Sequence, residues 1–214
     1  QPLHGIEQRL KAAALVGCDI SNKRMVLPVN AEDEKTVLQF LQGEGMADDD
    51  MLIGFQVGAS TISRMWFAER FVELGRRLIA AYPMVKIIIT GSPSEKKYCD
   101  EIAGGIGNRT IVTAGKLSLK QMPALMKQLK VLLTGDTGIM HVAIAVGTSV
   151  AALYAVADYR ITGPYYVKER HRVIQKWKTC DPCISKKCEY QKCMENISVD
   201  EVFGAVSDVI GAKT

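Results

Sequence analysis

The sequence predicts an α/β fold built on a doubly wound parallel sheet. Three observations carry that expectation. Apolar runs at 51–57, 85–90, 131–134 and 150–154 are continuous rather than alternating, so the strands they form are covered on both faces. Segments with helical spacing lie between them, so strand and helix alternate at least four times. Each apolar run also gives way to a short loop of small or hydroxyl-bearing residues. Open parallel sheets bind ligands at those carboxyl ends of their strands.

Each element follows from its own residues. Gly5 to Val16 places Ile6, Leu10, Ala13 and Ala14 at helical spacing. Arg24 to Val29 reads as a short extended piece restricted by Pro28. Asn30 is a candidate cap for a helix over Glu32 to Gly43, with Val37, Leu38, Phe40 and Leu41 as its apolar face. Residues 1–50 are expected to be a helical linker, and residues 51–214 the main domain. That domain opens with a strand at Met51–Val57, then a helix over Phe67–Tyr82 and a strand at Val85–Thr90. A helix over Glu95–Ile106 leads to an extended Thr110–Thr113, and Ser118 caps a helix running to Leu129. A strand at Val131–Thr134, a helix over Gly138–Val146 and a strand at Val150–Tyr154 complete the alternation. Tyr165 to Lys178 is basic and aromatic, without clear periodicity. Ser198 followed by Glu201 forms a capping box that starts a final helix. The whole is a Rossmann-like domain.

Composition narrows the function classes. The 214 residues carry a net charge of +4, with no basic stripe or nucleic-acid module, so no nucleic-acid partner is expected. No stretch approaches the ~20 apolar residues of a membrane span. No G-x-G-x-x-G, G-x-x-x-x-G-K-[ST] or G-x-S-x-G occurs, which speaks against nicotinamide, ATPase and esterase chemistry.

The loops after the strands carry the candidate chemistry. In Gly58-Ala59-Ser60-Thr61-Ile62-Ser63-Arg64, Ser60 offers a hydroxyl and Arg64 a planar fork suited to phosphate; the same loop also reads as a simple polar cap. Glu95, in Thr90-Gly91-Ser92-Pro93-Ser94-Glu95, can accept from a ribose diol or favour a helix N-terminus. Leu117 is either a contact for a nucleobase or part of the core. Gly135-Asp136-Thr137-Gly138-Ile139-Met140-His141 is the strongest local signal. The amides of Thr137 and Gly138 open a helix, where a phosphate binds readily. His141 in its first turn can stabilise a departing diphosphate by a hydrogen bond or as a cation. His4 and His171 receive no role.

Cys180, Cys183, Cys188 and Cys193 follow a C-x2-C-x4-C-x4-C spacing. Four thiolates of this kind can hold a structural zinc, and Lys186, Lys187 and Lys192 can lower their pKa values. Two disulfides or four reduced thiols are the alternatives, and no cofactor is expected to be needed for chemistry.

Taken in order, these motifs resemble the ADP-heptose–lipopolysaccharide heptosyltransferase family. Asp136-Thr137-Gly138-x-x-His141-x-Ala143-x-Ala145-x-Gly147, with the later Gly163-Pro164, is similar to the family's D-[ST]-G-x-x-H-x-A-x-A-x-G and G-P. The loops at Gly58, Thr90 and Ala114, the Cys-x-x-Cys of 180 and 183, and Ile197-Ser198-x-x-Glu201-Val202 match in the same order. The likeness covers about 53–210. It implies the C-terminal domain of a GT-B glycosyltransferase that inverts the anomeric carbon without a metal. It further implies that Ser60 and Arg64 contact the diphosphate of ADP-heptose, Glu95 the ribose, Leu117 the adenine and Asp136 the sugar hydroxyls. Thr137, Gly138 and His141 join the diphosphate contacts. Asp136 and His141 would be the catalytic groups here, with the general base and the acceptor site in an N-terminal domain of which residues 1–50 are a remnant. On that reading this chain alone transfers poorly. The acceptor would be a lipid A–core sugar, met by a cytoplasmic protein peripheral to the inner membrane. A sugar-nucleotide epimerase of the same fold and a non-catalytic binding module are the alternatives.

Overall fold

A computed structural model describes residues 2–165, 167–180, 183 and 188–212. Six strands form one sheet: β1 (Met51–Gln56), β2 (Val85–Thr90), β3 (Thr110–Val112), β4 (Val131–Gly135), β5 (Ser149–Tyr154) and β6 (Arg172–Gln175). All five ladders are parallel and the spatial order is β3-β2-β1-β4-β5-β6. The chain winds outward from β1 in one direction and from β4 in the other. The crevice above the β1/β4 pair is the topological switch point at which such sheets bind ligands.

Side-chain alternation along buried strands sends residues to two cores. Ile53, Phe55, Val85, Ile87, Ile89, Val131 and Leu133 face one, under α3 (Ala68–Ala81), α4 (Lys96–Ile106) and α8 (Val199–Gly211). Leu52, Ile88, Leu132, Val150, Ala152 and Tyr154 face the other. That second core is covered by α2 (Ala31–Gly43), α5 (Met122–Gln128) and α6 (Gly138–Ala145). The predicted caps form. Asn30 Oδ1 accepts from Asp33 N at 2.7 Å, and Glu201 accepts from Ser198 N at 3.1 Å while Ser198 Oγ accepts from Glu201 N.

The two helices of residues 1–50 attach differently. α2 buries Val37 and Leu41 completely and is a layer of the second core. α1 (Gly5–Ala14) buries none of its residues. It is tied down by polar contacts instead: His4 Nε2 to Gly163 O at 3.1 Å, and Glu7 accepting from both Lys23 and Tyr165. His4 Nδ1 meanwhile accepts from Ile6 N and caps the helix. These two bonds require the neutral ring, donating at Nε2 and accepting at Nδ1.

Three features lie beyond what the sequence led one to expect. β6 is a sixth strand, half-buried throughout because it lies at the sheet edge, and its alternation is too short to read from sequence. A one-turn α7 (Tyr159–Thr162) follows β5. Asp50, the last residue of the acidic run Asp48-Asp49-Asp50, has a buried side chain, 3% exposed between Lys86 at 3.2 Å and Arg109 at 2.6 Å. Burial pushes its carboxyl up, but the Ala47 amide and the two cations outweigh this and hold it below the ordinary carboxylate value. The cluster joins the start of β1 to β2 and to the residue before β3.

Candidate functional site: a cavity across the strand ends

A cavity of about 750 Å³ opens over the carboxyl ends of the strands, within the range of a small-molecule site. Ser60, Arg64, Glu95, Leu117, Asp136, Thr137, Gly138 and His141 all line it. The residues singled out in the sequence therefore converge on one place, brought together by sheet order. Leu117 follows β3, Glu95 follows β2, Ser60 and Arg64 follow β1, and Asp136 to His141 follow β4. Thr162, at the end of α7 after β5, closes the row.

The Glu95 carboxylate lies against Gly58. A Cβ at Gly58 would meet Glu95 Oε1 at 1.9 Å, so only glycine leaves the carboxylate its place. Oε2 accepts from Ser92 N at 2.6 Å and Ser92 Oγ at 2.8 Å in a capping box that starts the turn before α4. Glu95 therefore caps a turn and lines the cavity at once.

At the start of α6, Thr137 is the N-cap and makes no side-chain capping bond. Its hydroxyl is turned to Thr134 Oγ1 at 3.0 Å instead. The first amides of the helix are thereby left without a side-chain cap at the cavity wall, which suits an anion. A Cβ on Gly138 would meet nothing within 4 Å, so glycine here is not imposed by packing; it keeps the cavity open at the helix end.

Arg64 and Asp136 face each other. Arg64 Nη1 is 3.3 Å from Asp136 Oδ2, and the Asp136 side chain is 13% exposed. Tyr154, buried at the end of β5, has its hydroxyl 3.3 Å from Asp136 Oδ1, 3.2 Å from Thr162 O and 3.6 Å from Met140 Sδ. Burial pushes its phenol well above the ordinary value, and Asp136 adds to this, so it stays a proton donor.

His141 forms the wall between this cavity and a second one, of about 530 Å³, on the side of His4 and Arg9 of α1. Burial lowers its pKa; Asp136 opposes the shift, and His4 and Arg9 reinforce it. In the absence of a ligand this favours the neutral ring; a diphosphate beside it would act in the opposite sense.

Sequence reasoning missed several groups. Tyr154 and Thr162 come from distant segments and carry no local motif. Gln56 joins the wall by accepting from Thr90 Oγ1 at 2.7 Å and donating to Gly58 O at 3.2 Å. Its place at the last residue of a strand entering a glycine loop was the available signal. His171, given no role, is buried, and its Nδ1 accepts from Val150 N at 3.2 Å.

The cysteines lie apart from the cavity. None of Cys180, Cys183, Cys188 and Cys193 lines it, and Cys193 Sγ approaches Thr179 Oγ1 at 3.6 Å. Lys186 and Lys187 lie outside the described residues, as do 181, 182, 184 and 185. Among the described residues no group of three or more His, Cys, Asp or Glu is placed to hold a metal ion. Cys99 is buried in α4 and its thiol is pushed up to about 11 by burial, which makes it inert.

The profile of glycosyltransferase family 9 (heptosyltransferase) matches residues 3–194. The chain belongs to this family. A lipopolysaccharide core heptosyltransferase of Haemophilus influenzae is 26% identical over 164 residues, which is 76% of this chain and 45% of that protein. The chain thus spans under half the length of that curated relative. The crystal structure of a family 9 glycosyl transferase from Veillonella parvula superposes with a TM-score of 0.85 at 25% identity, covering 98% of this chain and 60% of that one. An ADP-heptose lipopolysaccharide heptosyltransferase II of E. coli gives 0.70 at 22% identity, over 86% of this chain and 53% of its own, and shares the fold. The family 9 member described here is therefore an α/β, Rossmann-like domain of the kind found in GT-B glycosyltransferases. Among its described residues, no helix is long and apolar enough to cross a membrane.

Proposed function

We propose that this chain supplies the donor site of an inverting heptosyltransferase and binds ADP-heptose along the row of strand ends. The observation that carries the reading is the order of the lining residues. From β3 to β4 the cavity presents an apolar residue, a carboxylate and a guanidinium, then a second carboxylate beside a helix start, with Thr162 after β5 closing the row. A nucleotide sugar read from end to end requires an apolar face for the base, an acceptor for the ribose, cations and amides for the diphosphate, and acceptors for the sugar. Five strand ends at about 4.8 Å spacing span roughly 19 Å, enough for such a molecule laid out along them.

In this reading the acceptor hydroxyl attacks the anomeric carbon from the face opposite the diphosphate, the C1–O bond to the diphosphate breaks, and the configuration inverts. Arg64 and the amides of Thr137 and Gly138 stabilise the negative charge that develops on the departing ADP. His141 donates a hydrogen bond to it. The carboxylate that removes the acceptor proton is proposed to lie outside these residues, so this chain binds donor and transfers poorly alone. The acceptor is proposed to be a lipopolysaccharide core sugar, reached from the cytoplasmic face of the inner membrane.

Intermolecular NOEs test the layout. The adenine protons of bound ADP-heptose should contact the Leu117 methyls, and the heptose protons should contact the segment 136–141. The reverse order, or an adenine lying against Asp136, would refute the proposal.

A further inference from the structure

We infer that Tyr154 is a positioning residue that aims the Asp136 carboxylate at the sugar of the donor; this rests on the donor-site reading above. Asp136 is held from two sides. Arg64 reaches Oδ2 at 3.3 Å from the cavity, and the Tyr154 hydroxyl reaches Oδ1 at 3.3 Å from the core. The two holders differ in kind. The Arg64 side chain is 36% exposed and lines the cavity, so a bound diphosphate competes for it. Tyr154 is 1% exposed and does not line the cavity, so no ligand reaches it.

When a diphosphate draws Arg64 away, the phenol is the contact that remains on the carboxylate. Its oxygen also sits 3.2 Å from the carbonyl of Thr162, another residue of the lining. One buried hydroxyl, with a single proton to donate, thus lies between the loop after β4 and the turn after β5. A carboxylate accepts a hydrogen bond more strongly than the neutral Thr162 carbonyl does, which favours the Asp136 contact persisting in the bound state. The ring itself packs in the core beneath α6, so removing only the oxygen leaves the packing in place.

The test is the split between nucleotide and sugar. Calorimetric titration with ADP and with ADP-heptose gives the gain in affinity that the sugar adds. In Tyr154→Phe the gain should shrink about tenfold while ADP affinity stays within twofold of wild type. A loss of rigid structure would weaken both ligands alike. In an Asp136→Ala chain the further change Tyr154→Phe should alter neither ligand's affinity. Should Tyr154→Phe fail to fold, 3-fluorotyrosine at position 154 provides the second readout: its fluorine signal should move further with ADP-heptose than with ADP. An undiminished gain in Tyr154→Phe, or a fluorine signal indifferent to the sugar, overturns the inference. A wild-type chain that binds ADP-heptose no better than ADP overturns the donor-site reading, and this inference with it.

Discussion

Replacing Gly58 by alanine should damage nucleotide binding far more than stability. The added methyl would stand 1.9 Å from Glu95 Oε1, 2.2 Å from its Cδ and 2.5 Å from Oε2. The obstacle is the end of a flexible side chain, so the carboxylate swings out and the backbone stays. That movement gives up the bonds from Ser92 N and Ser92 Oγ, a lost cap of about 1 kcal/mol. For a domain of this size the melting midpoint should fall by about 2–4 °C. On the proposed donor layout, the displaced carboxylate no longer meets the ribose. Hydrogen bonds to a charged acceptor are worth about 1.5–3 kcal/mol, so ADP affinity should fall about 10- to 100-fold. Calorimetry and a thermal melt on the same sample measure both. The decisive control is the double variant: in a Glu95→Ala chain, Gly58→Ala should add nothing. ADP binding unchanged in Gly58→Ala, or a further loss on top of Glu95→Ala, would refute the reasoning, the latter by showing that the methyl blocks the cavity itself.

Other consequences follow from the same geometry. Asp50→Ala strands the buried Lys86 without its carboxylate and should cost about 3–5 kcal/mol by denaturant titration; a loss under 1 kcal/mol would show that the cluster is not a structural anchor. His4 and His141 both have pKa values lowered by burial, so the unfolded chain takes up protons first as the pH falls. Stability should therefore decline below the ordinary imidazole value of about 6.5 and be level above it, and His141→Gln should flatten the slope seen in thermal melts between pH 8 and 5. Arg64→Lys keeps the charge but loses the fork, so ADP affinity should drop about tenfold while adenosine affinity is unchanged; equal losses for both would place Arg64 away from the diphosphate.

How far the sequence could be read depends on the range of the forces involved. Strands β1, β2, β4 and β5 declare themselves because burial on both faces demands unbroken apolar runs, and the caps at Asn30 and Ser198 because they act over three residues. The lining residues were legible for a topological reason: each stands just after a strand, and a parallel sheet places all such positions on one edge. What stayed hidden is long-range. Tyr154 looks like the last apolar residue of a strand, and only the fold places its hydroxyl against Asp136 and Thr162. Asp50 looks like part of a charged turn until Lys86 and Arg109 arrive from two other segments. Gly58 reads as one of the small residues that let a loop backbone approach a ligand, although what a Cβ there would meet is a carboxylate contributed from 37 positions later. Leu117 carried no local signal either way, and its place in the lining is set by β3 lying at the end of the row.

The central claim is that this cavity is built for an adenine nucleotide carrying a sugar. Titrating the chain with ADP, UDP and ADP-heptose tests it most directly. The account predicts that ADP binds more tightly than UDP, that ADP-heptose binds more tightly than ADP, and that Glu95→Ala weakens both adenine ligands. A preference for UDP would contradict the proposed donor, and an absence of binding to all three would contradict the donor site itself.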